Sequence, residues 1–190
     1  MRDVMKAHFN KHIEGIDLQF WKRLIMDYGE FVSFDRGECL CRRGEPSRRL
    51  GFVEAGYFRY EVGYPPKIGG FAFAGALVGD YPGVMYDEPA RINIRAGKPS
   101  AAWLMDATLL PELADSDVVV AHHMRILSEQ VYRSLFSRYY DMYAKSPDER
   151  YRHLLDYHPQ LIQDVPLKEI ASYLRISQVH LCRIRKGVLQ

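Results

Sequence analysis

No histidine lies between residues 13 and 121 of this chain; all seven fall outside, at His8, His12, His122, His123, His153, His158 and His180. A metal-dependent enzyme on a strand-rich core needs two or three imidazoles on its strands, so that class is disfavoured. His122 and His123 are adjacent and diverge by about 100° on a helix, so they do not grip one ion together. Cysteine is scarce too. Cys39, Cys41 and Cys182 are too few for a disulfide framework and one thiolate short of a four-cysteine iron–sulfur site. Cys39 and Cys41 share a face if they lie on a strand; a redox or metal pair is one reading, and buried structural thiols are the preferred one. No apolar run of about 18 residues occurs, which excludes a simple membrane helix. The N-terminal MRDVMKAHFNKHIEGIDLQF lacks a signal-peptide core and points to the cytoplasm. Phosphate-loop, G-x-G-x-x-G and G-x-S-x-G signatures are missing as well. Neither enzymatic activity nor a metal or cofactor is expected.

What is present is 47% hydrophobic and 26% charged, the composition of a folded globular protein. The net charge of +2 is unevenly placed. Residues 1–132 hold 16 Lys/Arg against 18 Asp/Glu, and residues 133–190 hold 10 against 6. Within 165–190 the count is five to one, so the basic excess gathers at the C-terminal end, as in a nucleic-acid footprint.

The hydrophobic period divides the chain. Ile16, Phe20, Leu24 and Ile25 predict a helix over 13–28. From Phe31 to Met105, short β-branched and aromatic stretches are broken by Arg-Gly-Glu, Arg-Gly-Glu-Pro and Glu-Ala-Gly, which predicts an all-β unit of about eight strands. ATLLPELA reads as a short helix, after which Asp115, Ser116 and Asp117 offer N-caps for a long one. Along the long helix Val120, Met124, Leu127, Val131, Leu135, Tyr139 and Met142 form one stripe of about 33 Å, suited to packing on its own domain, a second subunit or both. Ser146, Pro147 and Glu149 form a capping box for the next helix, whose buried face is Tyr151, Leu154 and Leu155 and whose end is His158-Pro159.

The last module begins at Pro166. Leu167, Ile170, Ala171 and Leu174 supply one helix face, Arg175-Ile176 a tight turn, and Ser177 an N-cap for a helix burying Leu181 and Ile184. Gln178, Val179, Arg183 and Lys186 are left outside, flanked by His180 and Arg185. This is the layout of a helix-turn-helix that presents its second helix to a major groove. In that role Gln pairs with adenine, Arg with guanine, and Val meets a thymine methyl. Arg175 stands where the turn favours a positive φ and usually glycine. The competing reading is a helical hairpin docked on the β unit.

These residues carry a resemblance. IASYLRIS…LCRIRK resembles the helix-turn-helix pattern of the Crp/Fnr superfamily of bacterial transcription regulators, and FDRGECLCRRGEPSRRLGFVEAGYFRYE is similar to its β-zone pattern. The resemblance implies an α+β fold: a double-stranded β-helix (jelly roll, cyclic-nucleotide-binding-domain-like), a long dimerisation helix and an all-α helix-turn-helix domain. It implies boundaries at 1–116, 117–145 and 146–190, and a homodimer on a palindromic DNA operator, with RNA polymerase as a further candidate partner. The implied base contacts are Gln178, Val179 and Arg183; the implied phosphate contacts are Ser177, His180, Arg185 and Lys186; the dimer helix uses Val120, Met124, Leu127, Val131, Leu135 and Tyr139. Because the sequence stops at Gln190, a bare helix-turn-helix without a full wing is expected.

VGDYPGVMYDEPARINIRA stands where the family's ligand cassette lies, making Gly79, Asp80 and Arg91 the candidate effector pocket. Gly79-Asp80 is similar to the family's Gly-Glu pair. Ala90-Arg91-Ile92 replaces the Arg-Ser/Thr pair that holds a cyclic phosphate, and an Arg one residue out of register on a strand faces away. The expectation is a regulator that does not bind cyclic AMP, with an unknown small-molecule effector or none. In the alternative, Asp80 caps a turn and Arg91 makes a surface pair. Phe71, Phe73, Tyr81 and Tyr86 fit either an apolar effector cavity or plain core. A regulatory module acting through protein contacts is the rival function, and a cupin-like metal enzyme the weakest one.

Overall fold

A computed structural model describes residues 15–157 and 159–188. The predicted helix start at Ile13, the stop at His158 and the chain beyond Val188 lie outside the described residues.

The expected all-β zone consists of eight strands: β1 (Gly29–Phe34), β2 (Cys39–Cys41), β3 (Arg49–Ala55), β4 (Tyr57–Val62), β5 (Lys67–Phe73), β6 (Leu77–Val78), β7 (Ile92–Ala96) and β8 (Ser100–Asp106). They form two four-stranded antiparallel sheets, ordered β1-β8-β3-β6 and β2-β7-β4-β5. Phe34, Val53, Phe58, Val78, Ile94, Ala102 and Leu104 form the core of this jelly roll. The glycine breaks seen in the sequence are turns: Gly37, Gly44 and Gly56 all have positive φ. At Gly56 a Cβ would also stand 2.2 Å from Ser100 Oγ, so both backbone and space demand glycine.

A bulge falls between Cys39 and Cys41, which pair with Arg95 and Ile94, so strict alternation does not hold there. Only Cys41 is buried, and its Sγ lies 3.2 Å from Ser47 Oγ.

Among the described residues, eight α-helices and one 3-10 turn (Ala107–Leu109) accompany the strands. α1 (Leu18–Tyr28) starts later than the spacing predicts, because the Asp17 carboxylate caps it, accepting from the amides of Gln19 and Phe20 at 3.0 and 2.9 Å. Its buried residues are Trp21 and Ile25; Ile16 precedes the helix. α2 (Tyr81–Tyr86) interrupts the β zone, and α6 (Pro159–Asp164) follows α5 (Pro147–Tyr157). Neither α2 nor α6 is legible as a separate helix: six residues are too few to show a 3.6-residue period, and Pro159 opens a helix where the sequence reads only an end. The capping box before α5 is formed, with Ser146 N donating to Glu149 Oε2 at 2.8 Å and Glu149 N to Ser146 Oγ at 3.3 Å.

After α3 (Leu110–Ser116), Asp117 caps α4 (Val118–Ala144), its Oδ1 accepting from Val119 N at 2.7 Å. Ser116 belongs to α3 rather than to the cap. α7 (Leu167–Tyr173) and α8 (Gln178–Val188) complete the chain. The chain divides into two compact units with the boundary at Gln130/Val131, inside α4. No helix among the described residues is long and apolar enough to cross a membrane.

Candidate nucleic-acid interface

The α7–α8 junction is built from backbone bonds. Ile176 N donates to Ala171 O at 3.0 Å and Arg175 N to Ser172 O at 3.1 Å, the two bonds of a Schellman ending. Its second-to-last position requires the left-handed region, and Arg175 occupies it at φ 60° without being glycine. The Ser177 hydroxyl then accepts from His180 N at 3.1 Å, so Ser177 is the N-cap of α8. Ile170, Ala171, Leu174, Leu181 and Ile184 are buried between the helices, and Ile176 is half-buried behind the turn.

The opposite side of α8 is open. Ser177, Gln178, Val179, His180, Arg183 and Lys186 are exposed, and Arg185 is half-buried. At 100° per residue, Gln178, Val179, Cys182, Arg183 and Lys186 share one face. Cys182 is the residue on that face missing from the sequence-based assignment, although its spacing of four and three from Gln178 and Val179 marks it. α8 contains no acidic residue, and among the described residues Arg183, Arg185 and Lys186 form no ion pair. The amides of its first turn also point out of the helix end, adding to an acid-free, positive surface.

The stripe along α4 changes character at its middle. Val120 and Leu127 are buried, while Met124 and Val131 are half-buried. Beyond Val131, Leu135 is 64% and Tyr139 60% exposed, and Met142 is exposed too. Tyr132, Phe136, Tyr140 and Tyr143 are likewise exposed and widen the stripe into an aromatic face. A single stripe at helical spacing does not include these four residues.

At the candidate effector position, Asp80 is 3% exposed and its Oδ2 has no hydrogen-bond partner. Burial pushes its carboxyl above the usual aspartate range, against the pull of the Arg91 and Gly83 amides. Asp80 precedes α2 without a side-chain capping bond. Ala90 is buried, whereas the Arg91 side chain is 74% exposed and pairs with Glu88 at 2.8 Å. Gly79 is half-buried in the same segment. Tyr60 stands close by, its phenol pushed up to about 12 by burial. A surface cleft of about 270 Å³ lies elsewhere on this unit, lined by residues including Glu30, Arg48, Arg49 and Asp106, and none of Gly79, Asp80 and Arg91 contributes to it. Of the four aromatics considered for a cavity, Phe71 and Phe73 are buried, Tyr81 is half-buried with its hydroxyl 2.6 Å from Ser128 Oγ, and Tyr86 is exposed. Among the described residues no cluster of His, Cys, Asp and Glu could hold a metal ion.

No family model and no curated protein matches this chain. Solved structures do. FixK2 from Bradyrhizobium japonicum is 18% identical with a TM-score of 0.71, covering 84% of each chain. The c-di-GMP responsive global regulator CLP of Xanthomonas campestris is 15% identical with a TM-score of 0.66, covering 91% of this chain and 92% of its own. A protein of Eubacterium rectale described as a transcriptional regulator of the crp/fnr family is 15% identical with a TM-score of 0.66, covering 87% and 81%. The chain therefore has the fold of Crp/Fnr-type regulators: an α+β jelly roll followed by a helical C-terminal part.

Two substitutions test the local chemistry. Arg175→Gly relieves the left-handed strain and should raise the free energy of unfolding by about 1 kcal/mol in urea titrations; a loss of stability would show that the Arg175 side chain holds the turn. For Asp80 the folded-state pKa is raised, so the native state binds the extra proton, and stability falls as pH rises from 3.8 through the raised value. Asp80→Asn should remove that fall and be the more stable form at neutral pH. A variant with the wild-type pH profile would contradict the burial assigned to this carboxyl.

Proposed function

We propose that this Crp/Fnr-type fold serves a homodimeric, sequence-specific DNA-binding transcription regulator acting in the cytoplasm, without catalytic activity. The observation that carries the reading is the acid-free exposed face of α8, set off by the Arg175 turn and the Ser177 cap. A helix of 11 residues with its N-terminal turn uncovered fits the major groove, where side chains at its start meet base edges. Gln178, Val179 and Arg183 are the readers. Ser177, His180 and Lys186 hold phosphates, joined by Arg185, which reaches the surface from a half-buried position.

Residues 1–116 form the sensor, 117–145 the dimerisation helix and 146–190 the DNA-binding domain. Leu135 and Tyr139, with Tyr132, Phe136, Tyr140 and Tyr143, form the seam with a second copy; Val120 and Leu127 serve the chain's own core. A two-fold dimer then reads a palindromic operator whose half-sites lie about 10–10.5 bp apart, or a multiple of that. RNA polymerase is the expected downstream partner.

The effector is not cyclic AMP. The exposure of Arg91, its pairing with Glu88 and the burial of Ala90 support this reading, since a cyclic phosphate calls for a guanidinium turned toward it. An effector that acts here must bind one conformation better than another, since equal affinity shifts nothing.

The test is a titration with mixed genomic duplexes at 50 and 200 mM salt. Affinity should fall roughly a thousandfold between them and single out a subset of sequences. Arg183→Ala should cost about 1–3 kcal/mol on preferred sites and relax the preference at one base position. No binding at the lower salt would sink the reading.

A further inference from the structure

The carbonyl end of α7 shows how the recognition helix is held. The Schellman bonds use the carbonyls of Ala171 and Ser172, and Leu174 N uses that of Ile170. The next two carbonyls, those of Tyr173 and Leu174, fall at the turn itself. Both are taken by arginines from other helices. Arg138 Nη2, on α4, donates to Tyr173 O at 3.1 Å. Arg150 Nη2, on α5, donates to Leu174 O at 2.9 Å.

Each arginine does a second thing. The Arg138 guanidinium lies 3.7 Å from the centroid of the Tyr173 ring, a stacked cation–π contact. Arg150 Nη1 donates to Lys145 O at 2.6 Å, closing the end of α4 with the same side chain that closes α7. Positive charge is also favourable at the carbonyl end of a helix. Burial and the nearby Arg175 and Arg150 push Arg138 below the ordinary arginine range. A cation is thus kept in a costly place, where its forked donors and flat face are both used.

We propose that Arg138 and Arg150 are positioning residues for DNA reading: a two-arginine clamp that fixes the helix-turn-helix to the C-terminal half of α4. The α4–α5 junction is then a closed joint, and the orientation of α8 follows that of α4. Arg138 is flanked on the same helix by the seam residues Leu135 and Tyr139, so dimer geometry passes to α8 through one turn of helix. Neither arginine touches DNA in this account. The inference rests on the proposed DNA reading, and the experiment separates the two.

Wild-type protein first selects a duplex from a randomised pool. Affinity for that duplex and for a mixed-sequence duplex is then measured across salt for Arg138→Lys, Arg138→Gln and the double variant Arg138→Gln/Arg150→Gln, alongside sedimentation and amide exchange over 172–178. Each single variant should weaken binding to the selected duplex about tenfold, the worth of one charge-assisted hydrogen bond. The mixed duplex, the salt slope and the dimer should be unchanged, and amide exchange in the free double variant should quicken at least tenfold. A salt slope lowered by about one per arginine makes these phosphate contacts and overturns the clamp. So do wild-type affinity and wild-type exchange in a folded variant. Arg138→Lys keeps the charge and the stem, so it decides the matter if the Gln variants fail to fold. If wild-type protein selects no duplex, the DNA reading fails and the exchange rates alone decide the clamp.

Discussion

Along one face of α4, Tyr132, Leu135, Phe136, Tyr139, Tyr140 and Tyr143 are all exposed at intervals of three or four residues. Burying one such side chain is worth about 1.5–3 kcal/mol, so a face of six is a large unmet driving force in water. The same helix buries Val120 and Leu127 nearer its start, so its apolar stripe passes from buried to exposed along its length. Self-association through a two-fold axis is the simplest way to cover a face of this kind, because the same patch then meets itself. The functional reading depends on that constraint. A single α8 presents few contacts, whereas two, held at a fixed distance, can read a palindrome.

Holding that distance requires the helix-turn-helix to be firmly attached. The capping box of Ser146 and Glu149 fixes the start of α5, and the arginines from α4 and α5 close the carbonyl end of α7. Arg175 then bears the left-handed backbone that lets α8 leave at the angle the Schellman bonds set. Local strain at one residue is offset by the two Schellman bonds and by the two arginine bonds at the same turn. In the β unit Asp80 Oδ2 is one of several buried polar atoms without a hydrogen-bond partner, with Trp21 Nε1, His123 Nδ1 and Gln130 Oε1.

Features governed by local rules were legible in the sequence. The glycine turns at Gly37, Gly44 and Gly56, the Ser146–Glu149 box, the Ser177 cap and the positive φ at Arg175 follow from backbone geometry within a few residues. The jelly roll was legible as a count of strands, because turn spacing and alternation survive without tertiary knowledge. Other features were not. α2 and α6 are each a turn and a half long, too short for a period to register. The bulge at Cys39–Cys41 depends on β7. The aromatic width of the α4 face was missed because a single-stripe reading does not tell buried from exposed rows. Arg138 and Arg150 were invisible, since a guanidinium that binds carbonyls 24 or 35 residues away leaves no local mark.

The central claim is that the outer half of α4 is a seam between two copies. Sedimentation equilibrium of the wild-type chain and of Leu135→Glu/Tyr139→Glu tests it directly, with circular dichroism confirming that both are folded. The account predicts a dimer for the wild type and a folded monomer for the variant, because two charges on a buried seam lack partners. A wild-type chain that stays monomeric at about 100 μM, well above the range of a stable interface, would contradict it.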